Sequence, residues 1–364
     1  MTAPHPALLA LASRRSPAPI DDEAELVRSV GEHRMTAPVL AAHQEGRIEL
    51  SSTAATTLGM WDLAERRAHL LFWQTVREVE HRLAPTGAAV AVLKGIATEA
   101  RWYDGLGQRV CTDVDLLLDS ASLTEVAAVV DALDPGRGGS STIEWLVGRR
   151  LVQHVDLHVG ATQVDLHFDA LKIGIPTRQQ HEVWASTRVV ETAQGPIRVL
   201  RPEIELVLLL LHLNKDRFAY LGPFLDIAHI VDRASLDHGY LRRFVAREGL
   251  DVPVWKSLAA VADTLALEVD VPRLTGPRAW SWDRLWGPHA RLGGHEARER
   301  APSVQRFLAA HARGRAADAL REARRQVAPR RELLEVAGRL DPGRSYLRYL
   351  AVDRRRFVAS ARPR

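Results

Sequence analysis

Residues 91–119 read AVLKGIATEARWYDGLGQRVCTDVDLLLD, a stretch that predicts a strand, a helix and a second strand in succession. The apolar start turns at Lys94 and Gly95 into the helix, and the second strand carries Asp113 and Asp115. Residues two apart on a strand point to the same face, so the two carboxylates project together. Adjacent carboxylates repel each other unless a cation or a proton separates them. The stretch therefore predicts a cation site, with Mg²⁺ as the candidate ion.

The apolar residues of the second strand alternate with its aspartates. Val114, Leu116 and Leu118 occupy the positions between and after the two carboxylates. They point to the opposite face of the strand, so they are expected to pack into a core. One face of the strand thus serves folding, while the other is available for chemistry.

A hairpin with a repeated motif follows. The segments 152–159 and 163–168 alternate apolar and polar residues on either side of Gly160-Ala161-Thr162, which is a strong hairpin signal. Each segment contains Val-Asp-Leu-His, which places Asp156 on the first strand and Asp165 on the second. Either aspartate could supply a third carboxylate. We favour Asp165, because a histidine and another aspartate follow it at alternate positions and extend its polar face.

Three carboxylates from neighbouring strands suit two Mg²⁺ ions. Asp113 and Asp115 would supply bridging ligands, and Asp165 the third, with ions about 4 Å apart. Mg²⁺ prefers oxygen ligands, and such a pair neutralises triphosphate charge during an in-line displacement. Asp165 could also act as a general base toward an acceptor hydroxyl.

The turn between the first strand and the helix predicts a phosphate site. Lys94 offers an ammonium group, and Gly95 lies where backbone N–H groups at a helix N-terminus are free to bind phosphate. Arg109, just before the second strand, is expected to contact phosphates as well. A Lys-Gly turn, an Asp-X-Asp strand and a later Asp strand, in that order, are what metal-dependent nucleotidyl transfer requires.

These motifs resemble those of the uncharacterised bacterial nucleotidyltransferases in the DNA-polymerase-beta-like superfamily. The matching positions are 93–95 (Leu-Lys-Gly), Tyr103, Arg109, 113–118, 164–167, His212 and 225–228; the resemblance covers about residues 60–240, with weaker similarity beyond. The resemblance implies Mg²⁺-dependent transfer of a nucleoside monophosphate from an NTP to a hydroxyl of an acceptor, which might be a small molecule, a tRNA or a protein. The wider superfamily has Gly-Ser at the turn, whereas Ile96 follows Gly95 here. The alternative is therefore a catalytically inactive binding or regulatory module with the same fold.

The resemblance and the patterns together predict an α+β protein. A small mixed sheet with flanking helices is expected over residues 60–201, as a nucleotidyltransferase-like catalytic domain. A partly disordered, partly helical segment would precede it at 1–59, and a helical domain would follow at 202–364. The strands are expected at 88–93, 113–118, the two hairpin segments and 197–200, and a helix at 122–133. Helices are also expected at 302–325 and 331–339.

Composition limits the other classes of function. The chain has 364 residues, of which 46% are hydrophobic and 26% charged, as in ordinary soluble globular proteins. Membrane spans need about 18 consecutive apolar residues, which the sequence lacks, and the N-terminus does not have the residue order of a signal peptide. The single cysteine, Cys111, fits a reducing compartment, so the expected location is the cytoplasm.

Basic residues concentrate late in the chain, although the net charge is only +4. Arginines cluster in residues 321–331 and 353–364. A basic tail can bind nucleic acid, but glutamates interleave with the arginines, as on a solvated helix face. Nucleic acid is therefore a less favoured partner than an NTP and a hydroxyl acceptor.

Overall fold

The computed structural model describes residues 3–17, 19–136, 139–148, 152–171 and 177–290. These residues fall within one compact unit that spans residues 1–298. The helices expected at 302–325 and 331–339 and the two arginine-rich segments lie outside the described residues. Within the described part, no helix combines the length and apolar character needed to cross a bilayer.

The described residues form a mixed sheet and surrounding helices, which confirms the predicted α+β class. The helices are α1 (Pro6–Ala12), α2 (Glu23–His33), α3 (Thr36–Gln44), α4 (Ser52–Leu83), α5 (Lys94–Trp102), α6 (Val126–Leu133), α7 (Ser140–Gly148), α8 (Gln180–Ala185), α9 (Pro202–Lys215), α10 (Gly222–Arg233), α11 (His238–Glu248), α12 (Asp251–Leu265), α13 (Pro277–Leu285) and α14 (Gly287–Ala290). The strands are β1 (Val90–Leu93), β2 (Val114–Leu118), β3 (His154–Val159), β4 (Thr162–His167), β5 (Arg188–Val190) and β6 (Ile197–Val199).

The sheet has the strand order β3-β4-β2-β1-β6-β5. Strands β1 and β2 pair antiparallel, as do β3 with β4 and β5 with β6. The pairs β2/β4 and β1/β6 are parallel, which makes the sheet mixed. Because β2 lies between β1 and β4, the strands that carry Asp115 and Asp165 are direct neighbours.

One face of the sheet carries the main core. Val114, Leu116 and Leu118 are at most 1% exposed and belong to this core, as their alternation predicts. Side chains from α4 and α6, such as Val76 and Val129, complete the same cluster. The sheet is therefore anchored through this face, and the aspartates of β2 point the other way.

A helical layer adjoins the strand-to-helix unit. Helix α9 begins at Pro202, whose fixed φ and missing N–H suit a first helical position. It packs against α10, α11 and α12, and α10 also contacts α5. Helix α5 is thus held between the sheet and the helices that follow it in sequence.

The structure corrects two predicted elements. The helix predicted at 122–133 begins at Val126, because residues Ser120–Thr124 form a 3-10 turn instead. Asp119 initiates that turn, since its side chain accepts a hydrogen bond from the backbone N–H of Ala121. Strand β5 was not predicted, because three residues at a sheet edge are too few to establish an alternating pattern.

Candidate functional site

Three aspartates form a row across three neighbouring strands. Asp115 pairs in register with Asp165 in the parallel β2/β4 ladder, and Asp165 pairs with Asp156 in the antiparallel β3/β4 ladder. Paired residues on adjacent strands project from the same face of the sheet. Asp115 and Asp165 are 5% and 8% exposed, whereas the side chain of Asp156 is 58% exposed on the edge strand. The two buried carboxylates are therefore Asp115 and Asp165.

Asp115 is the most strongly paired carboxylate of this row. Its Oδ1 atom lies 2.9 Å from Nζ of Lys94 and also 2.9 Å from Nε2 of His167. Burial alone would raise its pKa, but the Lys94 charge and the His167 hydrogen bond hold the pKa far below its ordinary value. Asp115 is consequently anionic at all physiological pH values.

Asp113 has a different environment from Asp115. It is half-buried just before β2, and the Thr112 hydroxyl lies 3.2 Å from its Oδ1 atom. Burial raises the pKa of Asp113, and the negative charge of Asp115 raises it further. The two aspartates of the Asp-X-Asp motif therefore differ in pKa, which is raised for Asp113 and lowered for Asp115.

The described residues include two overlapping groups that could hold a metal ion. Asp115, Asp165 and His167 place ligand atoms within 4.8 Å of one another, and so do His154, Asp156 and Asp165. Carboxylate oxygens suit Mg²⁺, and imidazole nitrogens extend the range to ions such as Mn²⁺. The donor set therefore fits a divalent cation, with Asp165 common to both groups. Asp113 lies outside both groups.

The Lys94-Gly95 turn has an unusual backbone. Lys94 has φ +36° and Gly95 has φ +44° with ψ −120°, so both residues lie in the region that L side chains rarely adopt. Glycine tolerates this conformation because it lacks a Cβ atom. The turn directs the Lys94 ammonium group to Asp115, and its side chain is only 9% exposed.

Ile96 occupies the position where the wider superfamily carries a serine. Its side chain is 1% exposed and packs in the main core. In this chain the residue after the glycine thus contributes to packing. Contacts to a phosphate at the turn would have to come from Lys94 and from backbone N–H groups.

Arg109 lies beneath this turn and is paired with a carboxylate on α10. Its Nε and Nη2 atoms donate to Asp226 at 2.9 Å, and the Tyr103 hydroxyl donates to the same carboxylate at 2.7 Å. A Cβ atom added to Gly95 would lie 3.9 Å from Nη1 of Arg109 and 3.6 Å from Sγ of Cys111. Burial would lower the pKa of Arg109, but Asp226 raises it well above its ordinary value. The guanidinium is therefore a permanent cation that joins α10 to the turn.

Sequence reasoning missed a buried ion pair between α4 and α5. Nδ1 of His69 lies 2.6 Å from Oε2 of Glu99, and both side chains are at most 3% exposed. Burial disfavours the imidazolium, yet contacts with Cys111 and Glu99 outweigh it and raise the pKa of His69 to about 10. The position of His69 on an otherwise apolar helix face gave no indication of a partner.

A second buried carboxylate, Glu205 on α9, binds other residues of α5. It accepts hydrogen bonds from the Thr98 hydroxyl at 2.7 Å and from the Trp102 indole at 3.0 Å, and it pairs with Arg101. A glutamate within the apolar run of α9 is a detectable sequence signal, because such a residue is buried only when it is paired. These contacts fix the orientation of α5 and of the turn at its start.

The model of a family described as uncharacterised nucleotidyltransferase matches residues 20–266. The chain is also similar to the crystal structure of an antigenic nucleotidyltransferase-like protein from Paracoccidioides brasiliensis, with 15% sequence identity and a TM-score of 0.31. That match covers 57% of this chain and 94% of the other. No curated protein matches the sequence.

Proposed function

Because the chain belongs to the family of uncharacterised nucleotidyltransferases, we propose that it transfers a nucleoside monophosphate from an NTP to a hydroxyl group in a Mg²⁺-dependent reaction. The observation that carries the proposal is the pair of buried carboxylates, Asp115 and Asp165, beside the Lys94-Gly95 turn. Buried carboxylates are unfavourable unless cations compensate them, so such a pair at a turn suited to phosphate supports metal–nucleotide chemistry.

In this proposal Asp113, Asp115 and Asp165 hold the metal, and His167 keeps Asp115 in place. The register supports Asp165 over Asp156 as the third carboxylate, because Asp165 is adjacent to Asp115 and buried. Bound Mg²⁺ would neutralise charge on the triphosphate and on the departing pyrophosphate. Burial and the charge of Asp115 raise the pKa of Asp113, and a cation bound at this site would oppose that shift.

The triphosphate would bind at the Lys94-Gly95 turn. Lys94 supplies a mobile point charge, and the backbone N–H groups at the start of α5 are directed toward anions. Arg109 contributes to nucleotide binding by supporting the turn, since its guanidinium lies beneath Gly95 and is fixed by Asp226. This role differs from the direct phosphate contact expected from the sequence.

The reaction requires a base for the acceptor hydroxyl. Asp165 is the proposed base: its carboxylate takes the hydroxyl proton as the oxygen attacks the α-phosphorus and the bond to pyrophosphate breaks. Burial limits water at Asp165, which favours transfer to an acceptor over hydrolysis. The acceptor could be a small molecule, a tRNA or a protein side chain, and the cytoplasm is the proposed location.

The experiment is transfer of label from α-³²P NTPs to candidate acceptors with and without Mg²⁺. We expect Mg²⁺-dependent product with the native chain, its loss in Asp115→Asn and Asp165→Asn, and its retention in Asp263→Asn, a control on the exposed face of α12. Absence of product with every acceptor, together with no NTP·Mg²⁺ binding by calorimetry, would refute the proposal. Nucleotide binding that survives replacement of both Asp113 and Asp115 by asparagine would favour an inactive binding module instead.

A further inference from the structure

The Lys94 ammonium group is paired with Asp115, a carboxylate that a metal ion at this site would need. We propose that the Lys94 ammonium group and the divalent cation compete for Asp115, and that nucleotide binding resolves this competition by drawing Lys94 onto a phosphate. The inference rests on the proposed function, because it describes how the same site takes up its metal and its nucleotide. It implies that the protein binds free metal weakly and binds the metal–nucleotide complex as a unit.

The contacts of Asp115 define the competition. The Lys94 ammonium lies 2.9 Å from Oδ1 of Asp115, within the group that Asp115 forms with Asp165 and His167. His167 approaches the same Oδ1 atom at 2.9 Å. Asp115 is thus a compensated anion in the folded protein, and a metal ion that used this carboxylate would replace an existing cation.

A divalent cation and the Lys94 ammonium are incompatible at the same oxygen. Mg²⁺ binds carboxylate oxygen at about 2.1 Å, so the ion and an ammonium in its present place would lie within about 5 Å of each other. Repulsion between two cations is screened little at a site as buried as Asp115. A metal ion bound to Asp115 therefore weakens the contact between Lys94 and this carboxylate, and the ammonium gains from another anion.

The surroundings of Lys94 restrict where it can find that anion. The nearby charges include Asp113, which shares the acidic site, and Asp216, which is already paired with His212 at 3.1 Å on the last turn of α9. A triphosphate at the start of α5 would offer phosphate oxygens next to the Lys94 backbone. The flexible four-carbon stem of lysine permits such a move without a change in the fold.

The strained backbone at Lys94 supports a role that depends on where this side chain is held. A non-glycine residue at φ +36° is unfavourable, and such strain is retained where the surrounding contacts enforce it. The conformation puts the ammonium at Asp115. Lys94 would then stabilise the carboxylates before substrate arrives and bind phosphate afterwards.

The test measures Mn²⁺ affinity by electron paramagnetic resonance on the full chain, with and without a non-hydrolysable α,β-methylene NTP analogue. The variants are Lys94→Met, which removes the competing charge, Lys94→Arg, which keeps a charge, and Lys215→Met, a matched control at the exposed end of α9. If thermal unfolding shows that the methionine variant does not fold, Lys94→Gln provides the uncharged side chain. A nucleotide-only blank corrects for Mn²⁺ bound to the free analogue.

We expect Lys94→Met to bind Mn²⁺ about tenfold more tightly than the native chain without nucleotide, a typical size for coupling between adjacent ligands. Lys215→Met and Lys94→Arg should bind Mn²⁺ as weakly as the native chain. The analogue should tighten Mn²⁺ binding to the native chain about tenfold, and much less in Lys94→Met.

Two results would overturn the inference, and they differ in what they leave standing. Equal or weaker Mn²⁺ binding by Lys94→Met, with analogue·Mn²⁺ still bound by the native chain, would refute the competition and leave the proposed function intact. No binding of Mn²⁺ or analogue by the native chain or any variant would refute both.

Discussion

Replacement of Asp226 by asparagine tests whether the structure identifies the contacts that hold α10 to the candidate site. Asp226 is 1% exposed and accepts hydrogen bonds from Arg109 and from Tyr103. Asparagine has nearly the same shape as aspartate but no charge. The substitution therefore leaves the Arg109 guanidinium buried without its counter-ion. The loss in the free energy of unfolding can be estimated from that single change.

The expected loss of stability is large. Removing one partner of a buried ion pair costs about 3–5 kcal/mol. An unfolding entropy of about 2.1 cal/mol/K per residue over 364 residues makes each kcal/mol worth roughly 1.3 °C, so Tm should fall by about 4–7 °C. Replacing both Arg109 and Asp226 by apolar residues, as in Arg109→Met with Asp226→Leu, should recover most of this loss, because no uncompensated charge remains. Adding Tyr103→Phe removes the hydroxyl that would otherwise stay unpaired.

Urea denaturation measures the free energies of unfolding and thermal melting measures the Tm values, both followed by circular dichroism, and Asp104→Asn is the matched control. Asp104 forms a two-bond pair with Arg233, also on α10, but its side chain is 77% exposed. Ion pairs between exposed side chains contribute little to stability, so the control should be nearly neutral. If Asp226→Asn costs no more than Asp104→Asn, the reasoning about the buried pair is wrong.

Three further predictions concern titration, backbone strain and metal binding. The pKa of His69 is raised from 6.5 to about 10, so the stability that the charged His69 gives the fold is complete below pH 6.5 and is lost as pH rises toward 10. Urea titrations should show this loss in the native chain and in His81→Gln, an exposed control, but not in His69→Gln. Gly95→Ala should destabilise the fold by about 1–3 kcal/mol and weaken analogue binding, because alanine is strained at φ +44°; unchanged Tm and affinity would contradict this. Asp165→Asn should weaken Mn²⁺ binding at least tenfold more than Asp156→Asn, as calorimetry can measure; equal effects would assign the third carboxylate to both.

Much of the fold around the site was predictable because its signals are local. The alternation in β2 separates Val114, Leu116 and Leu118 from the aspartates, and burial confirms it. Gly160, with φ +62°, marks the turn of the predicted hairpin. Such patterns depend on side-chain periodicity and on the φ values that a residue type tolerates, and both are properties of the sequence itself.

The neighbours of the hairpin strands were not predictable from such signals. Both strands carry Val-Asp-Leu-His, and the sequence favoured Asp165 over Asp156 only through the longer polar face that follows it, which does not say which strand lies next to β2. The parallel pairing of β2 with β4 places Asp165 beside Asp115 and leaves Asp156 at the edge. Strand order is decided by which faces can be buried together, and a single strand does not encode it.

The stretch at residues 91–119 shows both what the sequence determines and what it leaves to the tertiary structure. By itself it predicted a strand, a turn at a glycine, a helix and a second strand, with Asp113 and Asp115 expected on one face. Only the tertiary structure decided that Lys94 pairs with Asp115 and that Arg109 pairs with Asp226, 117 residues away. Backbone conformation follows from neighbours along the chain, whereas a buried charge takes the counter-ion that packing brings within a few ångströms.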